Sequence, residues 1–163
     1  MKKSQGFTAQ VLERLAARDL SLTRDLPKPA GLYAPYRLHN GTGYLAAQVP
    51  GYGLEGLTGR VGIELSLEQG RRAAEQAALN ALGRIHQALA GFDRLIGLLH
   101  VAGHVASADD FRDQPEVLDG ASRLFNEVLL ERGAHSRTAY PAPRLPKNVS
   151  IELEITFAYA TNQ

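Results

Sequence analysis

The chain has 163 residues, a formal net charge of +1 and no cysteine. This length favours one domain with a core of its own, and the lack of cysteine excludes disulfides, thiolate zinc sites and cysteine nucleophiles. The near-neutral charge provides no electrostatic footprint for nucleic acid or an anionic membrane. Because no apolar run is long enough for a signal peptide or a membrane span, we expect a cytoplasmic protein with neither membrane nor nucleic acid as a partner.

The N-terminal part of the chain predicts a helix followed by a linker. Apolar residues recur at helical spacing across Thr8–Asp19, and Thr8 is suited to cap the helix. The prolines of Leu26–Ala34 indicate an extended segment. We therefore divide the chain into an extension, residues 1–30, and a main domain, residues 31–163.

The next segments predict a β-hairpin and a glycine-rich loop. Asn40-Gly41 separates Tyr36–Leu38 from Thr42–Val49, and this dipeptide favours a tight turn because both residues tolerate positive φ. The later run Gly51-Tyr52-Gly53-Leu54-Glu55-Gly56 fits the dinucleotide-binding pattern G-x-G-x-x-G. That pattern binds a pyrophosphate only where a helix follows, and the sequence after Gly56 does not predict one, which argues against a nucleotide site.

Two helices and a central strand are predicted in the middle of the chain. Ser66-Leu67-Glu68-Gln69 is a capping box that begins an alanine-rich helix ending at Gly91. Asp113-Gln114-Pro115-Glu116 is a second capping box, with proline in the first turn, and begins a helix that stops at Gly133. Between them, Leu95–Val105 has the length and apolar character of a central strand. A short strand near Arg60–Leu65 is also expected.

The C-terminal segment contains the strongest strand pattern and the candidate chemistry. From Val149 to Tyr159 apolar and polar residues alternate, which places Glu152 and Glu154 on the face away from the core. Arg137 precedes this strand and is followed by prolines, so we expect either an edge strand there or a strand followed by a shaped loop. Arg137 and Glu152 are predicted either to grip a small anionic ligand or to form an ordinary surface ion pair.

Other reactive side chains give weaker signals. His100 and His104 lie on a predicted strand, which separates them by about 13 Å and argues against a shared zinc ion. Ser122 and Ser136 have no nucleophile-elbow context. The order of elements predicts an α+β fold in which helices gather over one mixed sheet.

Several motifs, taken in order, resemble the Rid (YjgF-type) family of reactive intermediate deaminases, also labelled the L-PSP endoribonuclease family. The resemblance covers Gly31 to Ala158. It rests on these segments: Gly31-Leu32-Tyr33-Ala34-Pro35-Tyr36, Gln48-Val49-Pro50, Ala73-Ala74, Asn80-Ala81-Leu82, Asp110-Phe111, Arg137-Thr138 and Leu145 to Glu154.

The resemblance implies a chorismate-mutase-like fold, a homotrimer whose sheets meet around a central barrel, and three clefts between subunits. In the deaminase members an arginine holds the carboxylate of a 2-imino or enamino acid, and an acid positions the attacking water without any cofactor. By that match Arg137 is the carboxylate clamp, Glu152 is the water-orienting acid and Tyr36 is a wall of the cleft. The positions corresponding to the family's Ser-Gly pair and common cysteine are Ala46, Ala47 and Ala139 here.

Three functions therefore remain open from the sequence. The first is hydrolysis of small carboxylate-bearing imines. The second is a trimeric protein that binds or senses a carboxylate without turnover, which the alanines at positions 46 and 47 favour. The third is cleavage of single-stranded RNA, against which the near-zero net charge argues.

Overall fold

The computed structural model describes residues 5–161. Its α-helices are α1 (Phe7–Ala16), α2 (Leu67–Leu89) and α3 (Gln114–Leu129). Its strands are β1 (Tyr36–His39), β2 (Thr42–Gln48), β3 (Leu95–Ala106), β4 (Ser136–Ala142) and β5 (Ile151–Tyr159). Short 3₁₀ helices span Leu130–Gly133 and Pro146–Asn148. Within the described range, no helix combines the length and apolar character needed to cross a membrane.

The five strands form one mixed sheet in the order β1-β2-β5-β3-β4. Only β3 and β4 pair in parallel, and the other neighbours are antiparallel. The predicted α+β class, with two long helices over one mixed sheet, is confirmed, and so is the edge position of the Arg137 strand. The hairpin also forms as predicted, with positive φ at Asn40 (47°) and Gly41 (79°).

The core lies between the sheet and the long helices. Along α2, Ala73, Ala74, Ala77, Ala78 and Ala81 are completely buried, as the alanine-rich stripe predicts. Small side chains let α2 lie close to both the sheet and α3. The helices approach closely at Gly120 of α3, where an added Cβ would lie 2.1 Å from the carbonyl oxygen of Arg71.

Helix ends follow the predictions only in part. The Ser66–Gln69 capping box forms, with reciprocal hydrogen bonds of 3.1 and 2.8 Å. The second predicted box is wrong, because Asp113 makes no side-chain cap bond at the start of α3. At the end of α2 the left-handed residue after the helix is Ala90 (φ 54°), and Gly91 follows it.

The predicted strand near Arg60–Leu65 is wrong. Val61 instead makes two isolated bridges, to Leu65 and to Ser107, inside a loop. Ser150 also departs from the predicted alternation, because it is fully buried and donates to the carbonyl of Leu57 at 2.6 Å. The loop that contains Leu57 therefore covers the start of β5.

The N-terminal extension packs on the outside of the helices. Val11 and Leu15 of α1 are buried in the main core. Thr8 is not the cap, which is Gly6. Its hydroxyl instead donates to Asp93 Oδ2 at 2.5 Å and accepts from the Phe92 amide at 2.7 Å. The chain after α1 then crosses α2, where Thr23 Oγ1 donates to Asn80 Oδ1 at 2.8 Å.

Candidate functional site

Arg137 lies on β4 and its side chain reaches α3. Nη1 donates to Asp119 Oδ1 at 2.9 Å and to Ser122 Oγ at 3.0 Å, and Nη2 donates to the Pro115 carbonyl at 3.1 Å. These bonds use three of the five guanidinium N–H groups. The side chain is 22% exposed and borders an open cleft of ≈ 520 Å³. Arg137 is therefore already paired within its own chain, yet keeps N–H groups for a further acceptor.

His135 orients the hydroxyl beside Arg137. Its Nδ1 lies 2.6 Å from the Gly133 carbonyl, so we assign the proton to Nδ1 and let Nε2 accept from Ser122 Oγ at 2.9 Å. Burial lowers the pKa of His135, the Gly133 carbonyl opposes that shift, and the charges of Arg137 and His100 lower the pKa further. A neutral His135 thus completes a hydrogen-bonded chain that runs from Arg137 through Ser122.

Glu152 lies on β5 and points away from the helices, as predicted. Its neighbours there include His104, its cross-strand partner on β3, and Glu154, which is 3.1 Å from His104 Nε2. Burial raises the pKa of Glu152, the charge of Glu154 raises it further and that of His104 opposes both. A carboxyl with a raised pKa is closer to the range in which a general base operates near neutral pH.

The structure does not bring Arg137 and Glu152 together in one chain. The two strands are separated by β3, and Arg137 reaches the helix-covered face while Glu152 points from the open face. The predicted ion pair between them is wrong, because the partner of Arg137 is Asp119. The prediction failed since β4 does not return to β5 as a hairpin but pairs in parallel with β3.

The other residues predicted for the site lie on β4, β2 and β1. Ala139 follows Arg137 on the same face of β4 and packs against the core. Ala46 and Ala47 lie in a β-bulge of β2, where the register shifts between Leu45 and Gln48. They line a small pocket beside the linker. Tyr36 packs against the core at the start of β1, and Ala46 donates its amide to the Pro35 carbonyl at 3.0 Å.

One charged residue of this pocket was not predicted from the sequence. Arg84 of α2 lines it and is only 6% exposed. A signal was present, because Arg84 interrupts an otherwise apolar stripe between Ala81 and Ile85. His100 and His104 both lie on β3, and among residues 5–161 there is no cluster of three potential metal ligands.

A family model described as "YjgF/chorismate_mutase-like, putative endoribonuclease" matches residues 13–160. The chain belongs to this family. The family resemblance drawn from the motifs is thereby confirmed, and the match with the YjgF (Rid) family begins inside α1.

Two relatives of this YjgF-family chain are similar to it over most of their length. The chain is 30% identical to Protein TCP17 from Trypanosoma cruzi over 146 aligned residues, and the alignment covers 86% of this chain and 91% of the relative. The crystal structure of Atu1372, a protein of unknown function from Agrobacterium tumefaciens, superposes with a TM-score of 0.86 at 29% identity and covers 95% of each chain.

More distant members share the fold. The Rid-family protein YyfA from Yersinia pestis superposes with a TM-score of 0.57 at 18% identity, covering 85% of this chain and 98% of that one. Members of the YjgF family with low sequence identity therefore keep the same α+β architecture.

Proposed function

We propose that the protein is a deaminase that hydrolyses reactive 2-imino or enamino acids to 2-keto acids and ammonia, in clefts between the subunits of a homotrimer. The observation that carries this proposal is the placement of Arg137 and Glu152 on opposite faces of one sheet. Since a single chain cannot present both side chains to one ligand, a shared site requires two copies of the chain.

The open face of the sheet supports association between copies. Among the described residues, Tyr44 and Tyr140 are 52% and 46% exposed there, and Leu99 of β3 is 48% exposed. Large apolar side chains on a sheet face favour burial against a partner. Glu152 belongs to this face, so a neighbouring copy that covers it would also bring its own residues to the carboxyl group.

The chemistry needs only water and two charged groups. Arg137 of one copy binds the carboxylate of the substrate through its remaining N–H groups. Glu152 of the other copy takes a proton from water as the oxygen attacks C2 of the imine, and the proton passes to nitrogen. The hydroxyl proton of the tetrahedral intermediate then moves to the same nitrogen by way of Glu152, the C–N bond breaks as C=O forms, and ammonia leaves the 2-keto acid. No electron is gained or lost, so the reaction requires no redox cofactor.

The alanines of the β2 bulge favour the alternative of a carboxylate-binding protein without turnover, whereas one contact of Arg137 opposes binding. Asp119 Oδ1 already accepts a hydrogen bond from Arg137 Nη1 at 2.9 Å, so a ligand carboxylate must share or replace that contact. In addition, Ala46 and Ala47 provide no hydroxyl to hold a water or a substrate atom. The missing hydroxyls weaken catalysis more than binding, whereas the Asp119 contact weakens the binding of any carboxylate.

The test is ammonia release from 2-iminopropionate generated by an amino-acid oxidase. We expect wild type to accelerate release, and Arg137→Ala and Glu152→Ala each to abolish the acceleration. Co-expression of these two variants should restore about one quarter of the clefts if random assembly lets each variant supply the residue that the other lacks. A trimer that accelerates ammonia release from no imine would favour the carboxylate-binding function without turnover. Salt-sensitive binding of single-stranded RNA would favour the nuclease function.

A further inference from the structure

Ser122 of α3 and His135 form a hydrogen-bonded pair in the wall of the cleft beside Arg137. Ser122 Oγ lies 2.9 Å from His135 Nε2, and His135 Nδ1 lies 2.6 Å from the Gly133 carbonyl. A carbonyl oxygen only accepts, so Nδ1 carries the proton of the imidazole and Nε2 presents a lone pair to the hydroxyl. A serine nucleophile needs this arrangement, in which a base meets the hydroxyl and a third group fixes the tautomer of the base.

The surroundings of the pair suit proton transfer from the hydroxyl. Burial, with the charges of Arg137 and His100, lowers the pKa of His135, so its imidazole is neutral and can accept a proton near neutral pH. Arg137 Nη1 donates to Ser122 Oγ at 3.0 Å. A hydroxyl oxygen has two lone pairs, so one remains for attack while the guanidinium favours the developing negative charge on the oxygen.

We propose that Ser122 is the nucleophile of a second activity, the hydrolysis of small carboxylic esters, with His135 as its general base. Both residues line an open cleft of ≈ 520 Å³, which is large enough for a small ester. Asp119 already pairs with Arg137 at 2.9 Å. A neutral ester, which becomes negative only in the transition state, therefore fits this cleft better than a phosphate ester does.

The reaction passes through an acyl-serine. Ser122 Oγ attacks the ester carbon while its proton passes to His135 Nε2. The tetrahedral intermediate then breaks its C–O bond to the alcohol, and Nε2 gives the proton to the departing oxygen. In the second half Nε2 takes a proton from water, whose oxygen attacks the acyl carbon. The new intermediate releases the carboxylic acid, and Ser122 Oγ takes its proton back from Nε2.

The position of Ser122 within a helix determines which esters react. The backbone amides around Ser122 are bonded within α3, so they cannot form the oxyanion hole of a nucleophile elbow. The donors in the cleft are the side-chain amide of Asn126, one turn further along α3, and the unused N–H groups of Arg137. Because the loss of one oxyanion donor costs about 10²–10³ in kcat, we expect turnover of esters with good leaving groups and none of amides. This activity requires neither Glu152 nor hydrolysis of imines.

The test is covalent labelling of the wild-type protein with a fluorophosphonate at neutral pH, measured by intact mass and peptide mapping. The probe forms a P–O bond with an activated serine and releases fluoride. We expect one adduct per chain, on Ser122, and a burst of 4-nitrophenolate followed by slow turnover with 4-nitrophenyl acetate. His135→Asn and His135→Gln should each slow the labelling at least about 100-fold, because they remove the base. Circular dichroism establishes that each variant is folded.

Ser136 provides a matched control. Its Oγ lies 2.8 Å from His100 Nδ1 but donates to the Leu99 carbonyl at 3.0 Å, so this imidazole does not take its proton. Ser136→Ala should label and turn over ester as wild type does, whereas Ser122→Ala should do neither. Wild-type protein without an adduct on Ser122, or labelling as fast in a folded His135 variant, overturns the proposal and leaves the pair a positioning role for Arg137.

Discussion

Replacing Asp119 by asparagine should strengthen the binding of carboxylates to Arg137. Asp119 Oδ1 accepts from Arg137 Nη1 at 2.9 Å, and its side chain is 52% exposed. Because the pair is screened by solvent, we expect its loss to lower the free energy of unfolding by only about 0.5–1 kcal/mol. The asparagine keeps an acceptor oxygen at the same place, so the position of the guanidinium is preserved while the competing charge is removed.

The same free energy sets the expected gain in affinity. If a ligand carboxylate must compete with Asp119, removal of the competitor should lower the Kd for pyruvate about two- to five-fold. Isothermal titration calorimetry with pyruvate measures this change, and Arg137→Met should abolish the binding that it reports.

A matched control is available on the same helix. Glu116 is an exposed acid in the first turn of α3, so Glu116→Gln changes the net charge equally without touching the guanidinium. The reasoning is refuted if Asp119→Asn leaves the Kd unchanged or weakens binding, since Asp119 would then orient Arg137 for the ligand rather than compete with it.

Three further results are expected. The folded-state pKa of Glu152 is raised above 4.5, so the contribution of this group to folding stability is fully present below pH 4.5 and is lost as pH rises through the folded pKa. Because the side chain of Glu152→Gln does not ionise, the Tm of this variant relative to that of wild type should rise on going from acidic to neutral buffer. The folded-state pKa of His135 is lowered from 6.5, so wild type should lose Tm as pH falls below 6.5, and His135→Asn should flatten that part of the curve. Gly120→Ala should lower the free energy of unfolding in urea by about 1–3 kcal/mol, because the added methyl group clashes with the Arg71 carbonyl. Arg123→Ala, at an exposed position of the same helix, should leave the free energy of unfolding nearly unchanged. An equal loss in both variants would contradict the close approach of the helices at Gly120.

Local patterns in the sequence were sufficient for most elements. The alternation of β5, the Asn40-Gly41 turn and the Ser66 capping box each depend on neighbouring residues, and each was predicted within a few positions. The second capping box failed because backbone angles at Asp113 (φ −95°, ψ 35°) prevent the side chain from reaching the first turn. Side-chain pattern alone does not encode those angles.

The candidate site was harder to predict because it depends on long-range pairing. Arg137 and Glu152 are close in sequence, which favoured an ion pair, yet the insertion of β3 between their strands separates them. The contacts of Arg137 with Asp119 and Ser122 require the crossover from α3 to β4, and no local motif marks it. Arg84 was overlooked since its apolar neighbours suggested a core stripe, although a lone arginine in such a stripe needs a partner.

The outer edge of the sheet limits how this protein can assemble. Pro141 lies within β4 and provides no amide hydrogen, and Pro143 follows directly after the strand. A sheet edge without a full row of donors cannot accept another strand along its whole length. A further strand therefore cannot pair along the whole of β4, and these prolines oppose growth of a continuous fibril by strand addition at this edge.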